Sequence, residues 1–375
     1  MSTDEARAAH VALASLPKVG PFRLHALLDE AGGPEAAWER VRSGQLEAVD
    51  LRAGRSHAAL VDHLREVAAG IDPAELLARH RAAGVEVLLP GDPGWPPSLV
   101  DDPEPPTVLF VRGDAELLAA PAVAVVGTRR CSAAGVAVAG RFGADLTAAG
   151  LHVVSGLALG IDGAAHRGVL ASGGRPIGVV GSGLDHVYPR SHRRLWGQVA
   201  ADGVLVSEAG LGRPPERWRF PARNRVIAAL SVAVVVVESR ARGGSLSTVA
   251  AALERDRTVL AVPGPVLAAQ SAGTNQLLSE GALVARDVDD VLVAIGGALP
   301  SASRASGRDA GVAPGADAVP ADRAVAAVLS PVPVGVERVA RAARLPVPDA
   351  LVALARLEAA GVARRVGGGY EQVVR

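Results

Sequence analysis

Val123-Ala124-Val125-Val126-Gly127 is an apolar run of strand length that stops on a glycine, and it opens a series. Leu151-His-Val-Val-Ser-Gly156, Pro176-Ile-Gly-Val-Val-Gly181, Val204-Leu-Val-Ser207, Val232 to Val237 and Val259-Leu-Ala-Val262 follow it. Between them lie helix-forming segments at 133–149, from Asp162, from near Arg223 and from Ser245. Short strands that are apolar on both faces, alternating with helices, predict a parallel sheet covered on both sides. The fold class is therefore α/β, an extended Rossmann-like sheet with its core over 122–295. In such sheets ligands bind beyond the carboxyl ends of the strands. Those ends carry small polar groups here: Gly127-Thr128-Arg129, Ser155-Gly156, Gly181-Ser-Gly183, Ser207-Glu208 and Gly243-Gly244-Ser245. Glycine lets the backbone approach a ligand, and amides at helix starts favour anions. A row of such loops suits a polyanion better than one nucleotide.

The first strand-to-helix turn is not GxGxxG. Arg129 and Arg130 stand where a dinucleotide fold keeps small residues, and Ser155-Gly156 stands where an acid would hold a ribose. These departures argue against a nicotinamide-dependent enzyme. Asp162 and His166 share a helix face, which reads as acid/base machinery or as a helix-stabilising Asp beside a packed His. No GxSxG surrounds Ser155, Ser182 or Ser207, and no triad order is visible.

The stretch Arg213-Pro-Pro-Glu-Arg-Trp-Arg-Phe-Pro-Ala-Arg-Asn-Arg225 packs five arginines and two aromatic rings into a chain whose formal net charge is zero. The whole sequence has only four Trp, two Tyr and four Phe, so Trp218 and Phe220 between those arginines are conspicuous. Guanidinium groups reach phosphate oxygens and aromatic faces stack bases, which together make a single-strand nucleic-acid surface. A solvated Arg-rich loop leading into a helix is the plainer reading of the same residues.

Length and composition bound the rest. The 375 residues, 49% apolar and 21% charged, suffice for a large core and more than one domain. No basic segment followed by an apolar stretch opens the sequence, and the longest apolar run is too short to span a bilayer, so a cytoplasmic protein without a membrane partner is expected. Cys131 is the only cysteine, which excludes an intrachain disulfide and a cysteine zinc site, and no HExxH is present. Neither a metal nor a cofactor is expected. Lys18 is the only lysine, so a GxxxxGK[ST] phosphate loop and a pyridoxal-binding core lysine are absent.

The flanks divide the chain. Residues 1–70 read as a helical accessory domain containing Leu16-Pro-Lys-Val-Gly-Pro-Phe-Arg-Leu-His-Ala-Leu-Leu28, a helix-hairpin-helix-like turn or an ordinary helical hairpin. Residues 71–296 form the sheet domain, entered through the strands Val85–Leu89 and Val108–Val111 and a proline-rich turn. Residues 297–320 have the composition of a flexible linker. Residues 321–375 read as three helices and a terminal hairpin around Gly367-Gly-Gly369, the outline of a winged helix, which serves either duplex DNA or a protein contact.

With these motifs in hand the chain resembles the DNA-processing protein A (DprA/Smf) family. The resemblance lies in Val125-Val-Gly-Thr-Arg129, Val154-Ser-Gly-Leu-Ala-Leu-Gly-Ile-Asp162 with His166, and Gly183-Leu-Asp-His-Val-Tyr-Pro189. It continues through Ser207-Glu208, Phe220-Pro-Ala-Arg-Asn-Arg-Val-Ile227, Gly244-Ser-Leu-Ser-Thr248, Val262-Pro-Gly264, Gly273-Thr-Asn275 and Gly281-Ala282. It implies a non-enzymatic protein that binds single-stranded DNA, forms a homodimer and loads RecA recombinase on DNA taken up in natural transformation. It implies DNA contacts at Arg129, Arg217, Phe220, Arg223 and the loop Gly243 to Ser245. The candidate surface is completed by Gly127, Thr128 and Ser132, by Ser155 and Gly156, and by Asn224 and Arg225. One departure is the loop itself: Gly243-Gly244-Ser245-Leu246-Ser247-Thr248 lacks a hydroxyl and a β-branched residue of the family's usual run. The alternative is a nucleotide phosphoribohydrolase-like enzyme on the same fold. Such enzymes resemble Pro-Gly-Gly-x-Gly-Thr-x-x-Glu at this loop, where the present sequence has Ala250 in the last position.

Overall fold

The computed structural model describes residues 3–46, 49–51, 56–296, 319–329, 334–360, 362–366 and 369–372. The chain divides into two compact units, Met1–Leu299 and Pro300–Arg375. The linker expected over 297–320 lies outside the described residues except for its last two.

The first unit opens with helices α1 (Asp4–Ala14), α2 (Pro21–Ala31), α3 (Pro34–Ser43), α4 (His57–Ala69) and α5 (Pro73–Ala82). Thr3 and Asp72 cap α1 and α5 through their side chains, and Pro stands in the first turn of α2, α3 and α5, where its missing N–H costs nothing. Strands β1 (Glu86–Leu88), β2 (Leu109–Gly113), β3 (Ala122–Val126), β4 (His152–Ser155), β5 (Ile177–Val180), β6 (Val204–Ser207), β7 (Ala233–Val236), β8 (Thr258–Ala261) and β9 (Leu283–Val284) follow. The helices between and after them are α6 (Ala133–Ala148), α7 (Ile161–Ala171), α8 (Arg193–Asp202), α9 (Arg219–Ala229), α10 (Leu246–Leu253), α11 (Ala272–Ser279) and α12 (Val288–Ile295).

The nine strands order as β1-β2-β6-β5-β4-β3-β7-β8-β9. Every pairing from β6 to β9 is parallel, and β1 and β2 extend the sheet antiparallel. β3 is the pivot. The chain runs from it outward through β4, β5 and β6, then crosses back so that β7 pairs with its other edge. Alternation divides the core between the two faces. Val123 and Val125 pack with Phe142, Leu146, Ile161 and Val169 of α6 and α7, whereas Ala124 and Val126 pack with Val226, Ile227 and Val249 of α9 and α10. Towards β2 a third cluster joins Phe110, Val180 and Leu205 to α8 and to Leu13, Leu24 and Trp38 of the N-terminal helices.

The sequence reading begins α9 near Arg223, but the helix begins at Arg219. Pro221 is what misleads: in the first turn of a helix its lack of an N–H is harmless, so it does not mark a boundary there. β9 was not foreseen, being a two-residue edge strand with no turn signal around it.

The second unit holds α13 (Pro320–Ala326), α14 (Val336–Ala343) and α15 (Val347–Ala359), with β10 (Ala363–Val366) and β11 (Gly369–Gln372) as an antiparallel hairpin. Val325, Leu329, Val339, Leu354, Leu357 and Tyr370 form its own core. This is the three-helix and hairpin outline of a winged helix.

A buried ion pair ties the proline-rich connection between β1 and β2 to the end of α10. Arg255 donates to Asp102 through Nε at 2.7 Å and Nη2 at 2.8 Å, with side-chain exposures of 2% and 1%. Asp102→Ala leaves that guanidinium buried without its counter-charge, so unfolding in urea should show a loss of about 3–5 kcal/mol. A loss under about 1 kcal/mol, the value of an exposed pair, would show that water reaches it.

Candidate nucleic-acid interface

Because β3 and β7 are neighbours whose following segments leave in opposite directions, the sheet opens a crevice at their carboxyl ends. The turn after β3 brings Gly127, Thr128, Arg129 and Arg130 to this edge. Gly127 is required there, since a Cβ would meet Ile161 and the Glu238 carbonyl at 2.6 and 2.7 Å. Arg129 and Arg130 are exposed.

Beside this turn the first turn of α9 builds a cradle. Its walls are Arg129, Gly156, Leu159, Gly181, Ser182, Tyr188, Phe220 and Arg223. The rings of Tyr188 and Phe220 lie 5.4 Å apart between centroids, tilted by 36°, and the Arg129 guanidinium sits 4.9 Å from the Phe220 centroid. A cation over one aromatic face, with a second ring beside it, offers a phosphate partner and a stacking platform within one nucleotide's reach. Tyr188 was not among the candidate residues. One signal for it existed, since it is one of only two tyrosines and lies in the Gly183–Pro189 motif.

The floor of the cradle is a buried network. Arg223 is 7% exposed and donates through Nη1 to the carbonyls of Gly156, at 2.9 Å, and Val179. Its Nε donates to the Asn224 side chain at 3.2 Å. The Asp162 carboxylate accepts from the amides of Gly156 and Ala158 at 3.2 and 3.4 Å. Burial pushes the Asp162 carboxyl up, with the Arg223 charge opposing, and pushes the Arg223 guanidinium down to about 10, with Asp162 opposing. Neither group is free to meet a ligand; they hold the turn after β4 in place. Asp162 is thus a turn-holding group, and His166, which donates to the Ile177 carbonyl at 3.2 Å, is packed beneath it.

The other candidate residues fall into two groups. Ser155 donates to the Val125 carbonyl at 2.6 Å and is buried, and Gly156 is buried under Arg223. Arg225 reaches the Glu104 carbonyl at 2.6 Å and Glu208 at 2.5 Å, Asn224 donates to Ser247 Oγ at 2.8 Å, and Ser245 to Ser239 at 2.9 Å. Ser132 is bound to Glu238. These residues shape the edge. Arg217 is exposed with no side-chain partner among the described residues, and Gly243 and Gly244 line the edge with open space over Gly244. Arg130, Arg240 and Arg242 add exposed guanidinium groups at the same strand ends. The last two escaped the sequence reading, which took the loop's glycines and stopped short of the arginines preceding them.

A larger groove, about 1040 Å³, lies on the other side of α9 against α2, lined by Lys18, Phe22, Trp218, Pro221 and Arg225 among others. Asp29, Glu104, Glu216 and Glu254 also line it, and these carboxylates disfavour a polyanion there. Trp218, 41% exposed, faces this groove and stacks under Arg219 at 4.5 Å rather than joining Phe220. Among the described residues no cluster could hold a metal, and no helix is long and apolar enough to cross a membrane.

A family model described as DNA recombination-mediator protein A matches residues 86–296, and one described as the DprA winged helix domain matches 310–369. The DNA processing protein DprA of Streptococcus pneumoniae is 42% identical over 201 residues, 54% of this chain and 71% of that protein. The X-ray structure of DNA processing protein A from the same species superposes with a TM-score of 0.64 at 32% identity, covering 78% of this chain and 98% of the other. A structure reported for the single-stranded DNA binding mode of DNA processing protein A from Helicobacter pylori superposes with a TM-score of 0.52 at 27% identity, covering 58% and 97%.

Two expectations follow from the buried groups. Arg223→Ala takes the donor from the Gly156 and Val179 carbonyls and the opposing charge from buried Asp162, so it should lower stability by about 3 kcal/mol in urea unfolding. Unchanged stability would return Arg223 to the set of residues free for a ligand. Burial also depresses His166 to about 3 and His10 to about 4. An unfolded histidine titrates near 6.5, so their contribution is fully present above that pH and is lost as pH falls towards the folded values. Stability should drop by a few kcal/mol between about pH 7 and 4.5, and His166→Phe should shrink the drop. The same drop in both proteins would place a solvent path to the imidazole.

Proposed function

The chain belongs to the DNA recombination-mediator protein A family, and from that premise we propose that it binds single-stranded DNA and delivers it to a RecA-type recombinase. The observation that carries this reading is the Arg129–Phe220–Tyr188 cradle at the edge of a sheet whose neighbouring strand ends carry exposed arginines. A strand laid along that edge meets successive guanidinium groups at Arg129, Arg130, Arg217, Arg240 and Arg242, with bases stacking at Phe220. Arg223, Arg225, Asn224, Ser132, Ser155 and Ser245 act by shaping the edge. The protein works in the cytoplasm as a homodimer, on DNA entering by natural transformation or exposed in recombination, and performs no covalent chemistry on it.

A nucleotide phosphoribohydrolase is not favoured. The segment after β7 has Ala250, on α10, where that chemistry needs a carboxylate, and Glu254 lies beyond the far end of α10, beside Arg255 at 3.7 Å.

Fluorescence anisotropy of a labelled single-stranded oligonucleotide, with duplex competitor and across a salt series, tests the reading. Binding should prefer single strands and weaken with salt by about 0.7 log units per log unit for each phosphate held. Arg129→Ala should cost about 1.5–3 kcal/mol and flatten the slope, while Phe220→Ala should cost about 1–3 kcal/mol and leave it unchanged. No binding at low salt, or equal binding by both variants and the parent, would sink the placement.

A further inference from the structure

In doubly wound sheets the helix after the first strand receives a ligand phosphate at its N-terminus. In this protein that seat is taken by a carboxylate of the chain itself. α6 runs for 16 residues from the end of β3, at the point where the strand order turns. Glu238, two residues past β7, comes up beside its first turn. The Glu238 carboxylate accepts from the Ser132 amide at 2.9 Å and from the Ser132 hydroxyl at 2.5 Å, and that hydroxyl accepts in turn from the Gly135 amide at 2.9 Å. A Cβ on Gly135 would lie 2.5 Å from the carboxyl carbon and 2.6 and 2.9 Å from its oxygens, so the carboxylate fills the space that glycine opens. The main chain of the same residue is engaged too, with the Thr128 amide donating to the Glu238 carbonyl at 2.7 Å. One residue therefore pins both ends of the Thr128–Ser132 turn, and Arg129 and Arg130 stand exposed between the two anchors.

We infer that Glu238 determines which phosphates this crevice accepts. Its carboxylate occupies the phosphate seat of α6 and keeps free nucleotides out. Its hold on the turn presents Arg129 outward, to the backbone of a polynucleotide that passes over the edge. The tethered anion takes up the Ser132 amide and hydroxyl at this helix N-terminus and repels any second anion brought there. The exclusion half stands on the geometry alone. The positioning half deepens the single-strand reading and rests on it.

The test uses the full chain, with inorganic pyrophosphate and adenosine 5′-monophosphate as probes in calorimetry, alongside the oligonucleotide assay. Glu238→Ala should bind pyrophosphate at least roughly tenfold more tightly than the parent, because a like charge has left the seat. It should weaken single-strand binding, and combining it with Arg129→Ala should weaken binding no more than Arg129→Ala alone, the sign of coupled neighbours. Pyrophosphate or the monophosphate binding the parent as tightly as the variant would overturn the exclusion, and additive losses would overturn the positioning.

Glu238→Gln guards against a variant that does not fold, since it keeps the shape and removes the charge, leaving one oxygen for the Ser132 amide and turning an NH2 donor to the Ser132 hydroxyl. Its readout is Cys131, whose thiol is pushed up by burial and then by the Glu238 charge, with Arg167 opposing. The Gln variant should alkylate faster at fixed pH, and an unchanged rate would mean that the carboxylate is not at that turn. If the parent binds no oligonucleotide, the single-strand reading fails, while the pyrophosphate and alkylation results still judge the seat.

Discussion

The pairing of β3 with both β4 and β7 is the constraint on which the rest of the sheet unit depends. A strand in the middle of a parallel sheet is buried on both faces, which is why Val123 to Val126 carry no polar group at all. Because the chain leaves β3 to one side and later returns to the other, the helices that follow β3 and β7 pack on opposite faces of the sheet. The turns leading to them are joined through Glu238, and everything that gives this edge its chemistry hangs from them: Arg129 and Arg130 on one, Glu238 and the Arg240–Ser245 loop on the other.

The same constraint explains why the sheet was legible in the sequence. Doubly buried strands leave a pattern of short apolar runs closed by glycine or serine, and the strand limits read from it differ from those observed by a residue or so at each end. β9 left no such pattern, since an exposed two-residue edge strand has neither burial nor a turn to mark it. α9 was read late because proline is taken as a boundary, although its chemistry permits it in a first turn.

The candidate site was legible as a place and less so as a set of contacts. Helical geometry sorts the Arg-aromatic stretch in a way that composition does not. Phe220 and Arg223 are three apart and line the cradle, whereas Trp218, Pro221 and Arg225 look into the acid-rimmed groove on the other side of α9. Five arginines that look equivalent in sequence thus have different fates. Arg213 donates to the Ser15 carbonyl at 3.4 Å, Arg217 is exposed with no side-chain partner among the described residues, Arg219 stacks on Trp218 beside Glu216, and Arg223 and Arg225 are spent on carbonyls and on Glu208. No local rule distinguishes a guanidinium that meets solvent from one that meets a carbonyl brought in from a distant strand. With a single lysine in the chain, arginine has to fill both roles, and identity alone does not separate them.

Burying Arg223 and Asp162 is costly, and the depressed guanidinium and raised carboxyl record that cost. A hydrophobic pair of similar volume would pack there with less penalty. What a hydrophobic pair could not do is bind the amides of Gly156 and Ala158 and the carbonyls of Gly156 and Val179 at once. The groups of Gly156 and Ala158 flank Leu157, which adopts φ 53°, a conformation that a leucine does not hold unless its surroundings dictate it, and the Val179 carbonyl ties that turn to β5. The network therefore exchanges stability for a fixed floor under Phe220 and Tyr188. Such a floor holds Arg129 and the two rings in place beforehand, and groups ordered in advance lose less freedom in any later contact.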